Sequence, residues 1–115
     1  MLKINGAFNK GILGTEYLSM TVEGDIPDLS AYLVLDSTYK ADGKPSNKLR
    51  HMYCPTKWKV TKGVNIKLMT KSGTDGYDPK TNILNLYWNL DETVWNKGGD
   101  CAFVVKSEEI IHGKV

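Results

Sequence analysis

His51 and Cys54 stand three residues apart in the segment HMYCP, and a thiol near an imidazole is the residue pair of a cysteine nucleophile and its general base. Such a pair needs a third group to orient the base, and nothing in the sequence marks one. The pair therefore reads as structural, no catalytic residue is expected, and the chain reads as a non-enzyme. His112 and Cys101 complete the two histidines and two cysteines, which lie scattered between positions 51 and 112 without the spacing of a zinc site. Asp75-Gly76-Tyr77-Asp78 and Asp91-Glu92 supply oxygen atoms of the kind calcium takes, but the spacing is not that of an EF-hand. Solvated turn residues are the simpler reading. Neither a Gly-rich phosphate loop nor a nucleophile elbow appears. No metal and no cofactor is expected. The cysteines are too few for a disulfide framework and read as buried thiols, with a bridge between them left open.

Aromatic residues offer a second kind of chemistry, since Trp58, Trp88, Trp95 and six tyrosines could form a flat stacking platform for carbohydrate. Trp58 lies between Lys57 and Lys59, so lysines directed at solvent would turn its ring inward. Trp88 and Trp95 belong to the stretch LYWNLDETVWNKGGDCAF, from Leu86 to Phe103. Each ring can bury about 150 to 250 Å2, and each ring N–H then needs a partner. Asn89 and Asn96 provide nearby carbonyls and can bond to the backbone of their own turns. Gly98 and Gly99 permit positive φ, and Asp100 can accept backbone N–H bonds as the chain enters the next strand. The stretch reads as a corner lock whose structural signature is Trp88, Asn89, Trp95, Asn96, Gly99 and Asp100. Carbohydrate recognition by exposed aromatics is the alternative.

Charge is placed unevenly. The net charge is only +2, yet Lys40 to Lys71 holds nine Lys or Arg against one acid, so this segment carries +8 and the remainder −6. Lys57, Lys59, Lys67 and Lys71 form a candidate patch for an anionic partner. Their odd-numbered positions, two or four apart, would set each pair on one side of a strand, opposite the apolar set Val64, Ile66 and Leu68. The plainer reading is a solvated strand face, so nucleic acid or another polyanion is expected to bind weakly at most.

These residues need elements to position them, and the elements read as strands. Apolar residues alternate at Leu18, Met20 and Val22, at Val64, Ile66 and Leu68, and at Cys101, Phe103 and Val105. Ala31 to Leu35 is apolar on both faces, as a sandwich-core strand would be, and Ile83 to Trp88 is a further candidate. Turn residues fall between the runs, at Glu23-Gly24-Asp25, Asp42-Gly43-Lys44-Pro45, Lys62-Gly63, Ser72-Gly73, Asp75-Gly76 and Lys97-Gly98-Gly99-Asp100. Several short strands with Gly/Pro turns imply an all-β sandwich or barrel. With 115 residues, 41% apolar and 24% charged, one domain over 1–115 is expected. No apolar run approaches a membrane span and the opening MLKINGAFNKG lacks a signal-peptide core, so the chain reads as soluble, and cytoplasmic unless it is a fragment of an exported protein.

The order LYWN, then VWN, then a Gly-Asp turn entering a strand at Cys101 to Val105 resembles the C-terminal signature of the lamin tail domain family. Asp28-Leu29-Ser30-Ala31-Tyr32 is similar to that family's Leu-Ser/Lys-Gly-Trp strand, and His51-Met52-Tyr53-Cys54-Pro55 resembles its His-x-Phe-Pro element. Val60 to Thr74 looks like its turn, strand and Gly-rich loop, so the resemblance spans about Glu16 to Gly113. Lys62 departs from the family's proline and Ala31 from its glycine, and the loop Ser37 to Asn47 is long. The resemblance implies an immunoglobulin-like β-sandwich of the lamin tail domain type, here free-standing. It further implies a non-catalytic interaction or scaffold module that binds another protein or itself.

Overall fold

Alternating apolar residues bury one side of a strand and leave the other to water, so such strands pair into a sheet and the sheet needs a second layer to cover it. The computed structural model describes residues 1–38, 41–44, 50–95, 99–109 and 111–115, and in it eight strands satisfy that requirement in two sheets. They are β1 (Leu2–Phe8), β2 (Tyr17–Val22), β3 (Tyr32–Thr38), β4 (Met52–Tyr53), β5 (Asn65–Met69), β6 (Gly76–Asp78), β7 (Ile83–Tyr87) and β8 (Asp100–Lys106). One 3-10 turn, Leu29–Ala31, precedes β3. The larger sheet runs β1-β2-β5-β7-β6 and the smaller β4-β3-β8. All pairings are antiparallel except β5 with β7, because the chain leaves β5, makes β6 at the sheet edge and returns to fill the place between them. The fold is all-β, and no helix of the described residues is long and apolar enough to cross a membrane.

The core lies between the sheets. Leu18, Met20 and Val22 of β2, Ile66 and Leu68 of β5, and Leu84 and Leu86 of β7 face Tyr32 and Val34 of β3 and Tyr53 of β4. Val60, Val64, Val94 and Trp95 close its ends from outside the strands. Here the expected alternation over Leu18 to Val22 and Val64 to Leu68 selects the buried face.

Two strands depart from their reading. In β8 the side chains packed against the core are Ala102 and Val104, so Cys101, Phe103 and Val105 occupy the outer face. Both faces of β8 are apolar, and the register with β3 chooses between them: Val104 lies opposite the core residue Val34. The other departure is β1, which the sequence does not announce. A bulge after Ile4 inserts Asn5, with Gly6 at φ +147°, and the extra residue breaks the alternation of Leu2, Ile4 and Ala7. Asn5 then reaches across the outer face to donate to Ser19 Oγ (3.1 Å) and Thr21 Oγ1 (2.9 Å).

Candidate functional site

The corner that joins β7 to β8 is organised by a carboxylate from the far side of the chain. Glu16, immediately before β2, is fully buried, and its Oε2 accepts from Thr70 Oγ1 (2.6 Å) and the Val94 N–H (2.9 Å). Its Oε1 accepts from the Gly11 N–H (3.0 Å) and the Trp95 N–H (3.3 Å). A buried acid is tolerated only when its oxygens are so satisfied, and the four donors tie the loop before β2, the end of β5 and the Val94-Trp95 segment to one point. Sequence reasoning missed Glu16. The available signal was a lone acid opening an alternating apolar strand.

Around this point the aromatic rings meet. Trp88 is half-buried and touches Tyr53 (centroids 5.7 Å apart), Trp95 (6.2 Å) and, edge to face, His51 (6.2 Å). Burial holds the Tyr53 phenol well above its ordinary pKa, with the charges of Asp75 and Cys54 adding to the effect. Asn89 takes φ +61°, its Oδ1 accepts from the Gly73 N–H (3.1 Å) and its Nδ2 donates to the Tyr87 carbonyl (3.3 Å). Gly99 takes φ +112° and Asp100 opens β8. Asn96 and Gly98 lie outside the described residues. The ring N–H of Trp95, a residue only 2% exposed, has no hydrogen-bond partner among the described residues, and of the two asparagines expected to supply one, Asn89 does not and Asn96 lies outside them.

The histidine does acquire an orienting group. Asp36 of β3, 1% exposed, presents Oδ1 to the His51 backbone N–H (2.7 Å) and to its ring Nδ1 (2.9 Å). The sequence could not show it, because 15 residues separate the two and the β3–β4 pairing alone brings them together. Cys54 is exposed rather than buried, Cys101 is half-buried, and both are free thiols. The outward positions of β8 and the end of the two-residue β4 explain why these small apolar residues escape the core. Among the described residues no three His, Cys, Asp or Glu side chains gather as metal ligands would. Asp75 instead accepts from Thr56 Oγ1 (2.9 Å) and the Tyr87 N–H (3.0 Å), and Asp78 accepts from the Lys80 N–H (2.9 Å).

The four candidate lysines sit on separate elements. Lys57 and Lys59 are exposed on the segment between β4 and β5, which is not a strand, with Trp58 turned toward the core between them. The Trp58 ring N–H donates to Thr56 Oγ1 (2.7 Å). Lys67 lies on the outer face of β5 with its Nζ 4.4 Å from the centre of the Tyr17 ring, and Lys71 follows β5. The expected strand-face spacing therefore applies to Lys67 alone. Lys40 and Lys48 of the basic segment lie outside the described residues.

Two surfaces remain without an internal role. On the outer face of the small sheet, Met52, Leu35 and Phe103 form one cross-strand row and Leu33 and Val105 a second, with Met52 56% and Val105 44% exposed. Between the free edges of β1 and β8 opens a cleft of about 370 Å3, lined by Ile4, Ala7, Lys10, Leu18, Trp95 and Ala102 among others. Comparison with protein-family models, with curated proteins and with solved structures returns no match.

Proposed function

We propose that the chain is a non-catalytic interaction module, an immunoglobulin-like sandwich of the lamin tail type, which docks another protein or a second copy through the outer face of its small sheet. The observation that carries this reading is the apolar double row in which Met52 and Val105 are exposed, Leu33 and Phe103 half-buried and Leu35 buried between them. In a two-layer protein the outward face of a sheet is normally polar, and contiguous exposed apolar surface marks an interaction site. The lamin-tail part of the reading is supported by the order LYWN, VWN, Gly-Asp and by the contact between Trp88 and Trp95 at that corner. The Asp36–His51 pair fits the same non-catalytic role, since it ties β4 to β3 beneath Trp88.

A photo-crosslinking amino acid placed at Met52 or Val105, and at Ser19 of the opposite sheet as control, tests the docking face in cells that express the protein. Adducts to one partner or to a second copy should form from positions 52 and 105 only. Equal labelling from Ser19, or none from 52 and 105, would overturn the reading.

A further inference from the structure

We propose that the hollow between Trp58 and Tyr77 receives the acidic segment that follows β8 from a second copy of this chain, with Ile111 as its anchor, so that copies associate head to tail. The proposal goes beyond the outer-face reading and uses none of its residues.

The hollow lies where β6 meets the segment between β4 and β5. It encloses about 180 Å3 and is lined by Trp58, Tyr77, Val60, Val64 and Lys59 among others. Both rings are reached by solvent, since Tyr77 is 45% exposed and Trp58 half-buried. Their polar ends are already satisfied: the Trp58 ring N–H donates to Thr56 Oγ1 (2.7 Å) and the Tyr77 hydroxyl to Asn82 Oδ1 (2.7 Å). What the rings offer a guest is therefore carbon surface. At about 30 Å3 per molecule the space holds roughly six waters, well below the ~300 to 1,000 Å3 of a small-molecule pocket. It suits one aliphatic side chain.

Charge selects what stands beside that side chain. Lys59 on the rim and Lys62 on the turn before Val64 are exposed, and among the described residues neither pairs with a carboxylate. Asp25 meets Lys62 only at its backbone N–H (3.0 Å). The fitting guest is an aliphatic anchor with an acid next to it on the same side of an extended segment.

This chain contains such a segment. The Ser107 N–H donates to the Ala31 carbonyl (2.6 Å), and beyond that bond Glu108 and Glu109 are exposed and, among the described residues, unpaired. Ile111 is 82% exposed, and residues 111–115 form neither strand nor helix. Residues two apart in an extended chain share a side, so Glu109 reaches Lys59 when Ile111 enters the hollow. Because Ile111 is exposed, it does not fill the hollow of its own copy. The hollow belongs to the +8 segment and the guest to the −6 remainder, so the two ends of neighbouring copies attract. A contact between two different patches is heterologous and repeats from copy to copy.

Sedimentation of the whole protein over a wide concentration range is the first test: the mass should rise with concentration past the dimer, and less so at high salt. Ile111→Asp and Lys59→Glu alter exposed side chains only, and each should weaken association about tenfold or more. A one-to-one mixture of the two variants should stop at the dimer, since one keeps only its segment and the other only its hollow. Lys59→Glu combined with Glu109→Lys in one chain should restore association. A synthetic peptide KSEEIIH, residues 106 to 112, should shift the Trp58 indole N–H resonance of the isotope-labelled protein. A protein that stays monomeric, or association that neither variant weakens, would overturn the proposal. So would a Trp58 resonance that Ile111→Asp moves in the monomer, because the segment would then occupy the hollow of its own copy. Crosslinks from Met52 and Val105 report on the outer face and should be the same in both variants.

Discussion

Glu16 accepts four hydrogen bonds, and solvent cannot replace the three from Thr70, Val94 and Trp95. Removing an acceptor from buried donors costs about 1 to 3 kcal/mol for each group left bare, so Glu16→Ala should lose about 3 to 5 kcal/mol, allowing for relaxation of the exposed Gly11. That is a large fraction of the 5 to 15 kcal/mol roughly expected of a small domain. Thr70→Val removes one donor of the same set in a side chain of equal shape and should cost only about 1 kcal/mol. Urea denaturation of the two variants measures the difference, and equal losses would refute Glu16 as the organiser of the corner. The tryptophans act at the same scale. Trp88 touches three other rings, so Trp88→Ala should cost about 3 to 5 kcal/mol through lost packing. A variant that kept its melting temperature and lost partner binding would transfer Trp88 from the core to the docking surface.

Elements are held at their ends, and two of those ends respond to pH in opposite directions. Asp28 caps the 3-10 turn: its Oδ1 accepts from Ser30 Oγ (2.6 Å) and the Ser30 N–H (2.9 Å), bonds that lower its pKa below the usual carboxylate value. A lowered pKa means that the unfolded state binds the proton first as pH falls, so this contribution is complete above the ordinary value near 4 and is lost below it. Tyr53, on β4, has the reverse sign. Its raised pKa makes the unfolded state release the proton first, so its contribution is complete below about pH 10 and is lost as pH rises beyond. Asp28→Asn retains a capping oxygen without a titrating group and should flatten the acid limb of a stability profile; Tyr53→Phe should flatten the alkaline limb. Thermal melts from pH 2 to 11 check both. An acid limb unchanged by Asp28→Asn would place the acid sensitivity elsewhere.

For the molecule as a whole, a segment of +8 set against a remainder of −6 provides a local field and little long-range attraction. Lys67 is engaged over the Tyr17 ring, while Lys57 and Lys59 stand on a different element, so the four lysines do not line one strand face. Exposed single pairs add about 0 to 1 kcal/mol each, which makes cooperation among several lysines necessary for useful affinity. Duplex DNA or heparin should therefore bind at low salt only, and changing Lys57, Lys59, Lys67 and Lys71 to glutamine should abolish even that. Tight binding at physiological salt would make a polyanion the partner in place of a protein surface.

Composition and alternation by themselves determined that this chain is all-β and where most strands run. Burial of apolar side chains at period two is a local property, as the core faces of β2 and β5 demonstrate. Turn residues were legible for the same reason: Gly99 adopts the positive φ that its residue type permits, and Asn89 bonds to the backbone of its own turn at the Tyr87 carbonyl. Only tertiary structure decided which face of β8 is inside, because two apolar faces leave the choice to the β3 register. It alone joined Asp36 to His51 across a strand pair, and Glu16 to Trp95 across 79 residues. Long-range hydrogen bonds leave no periodic trace in a chain. The cleft belongs to the same class, since it exists between two strand edges that the sequence places at opposite ends and that only the packing of the two sheets brings side by side.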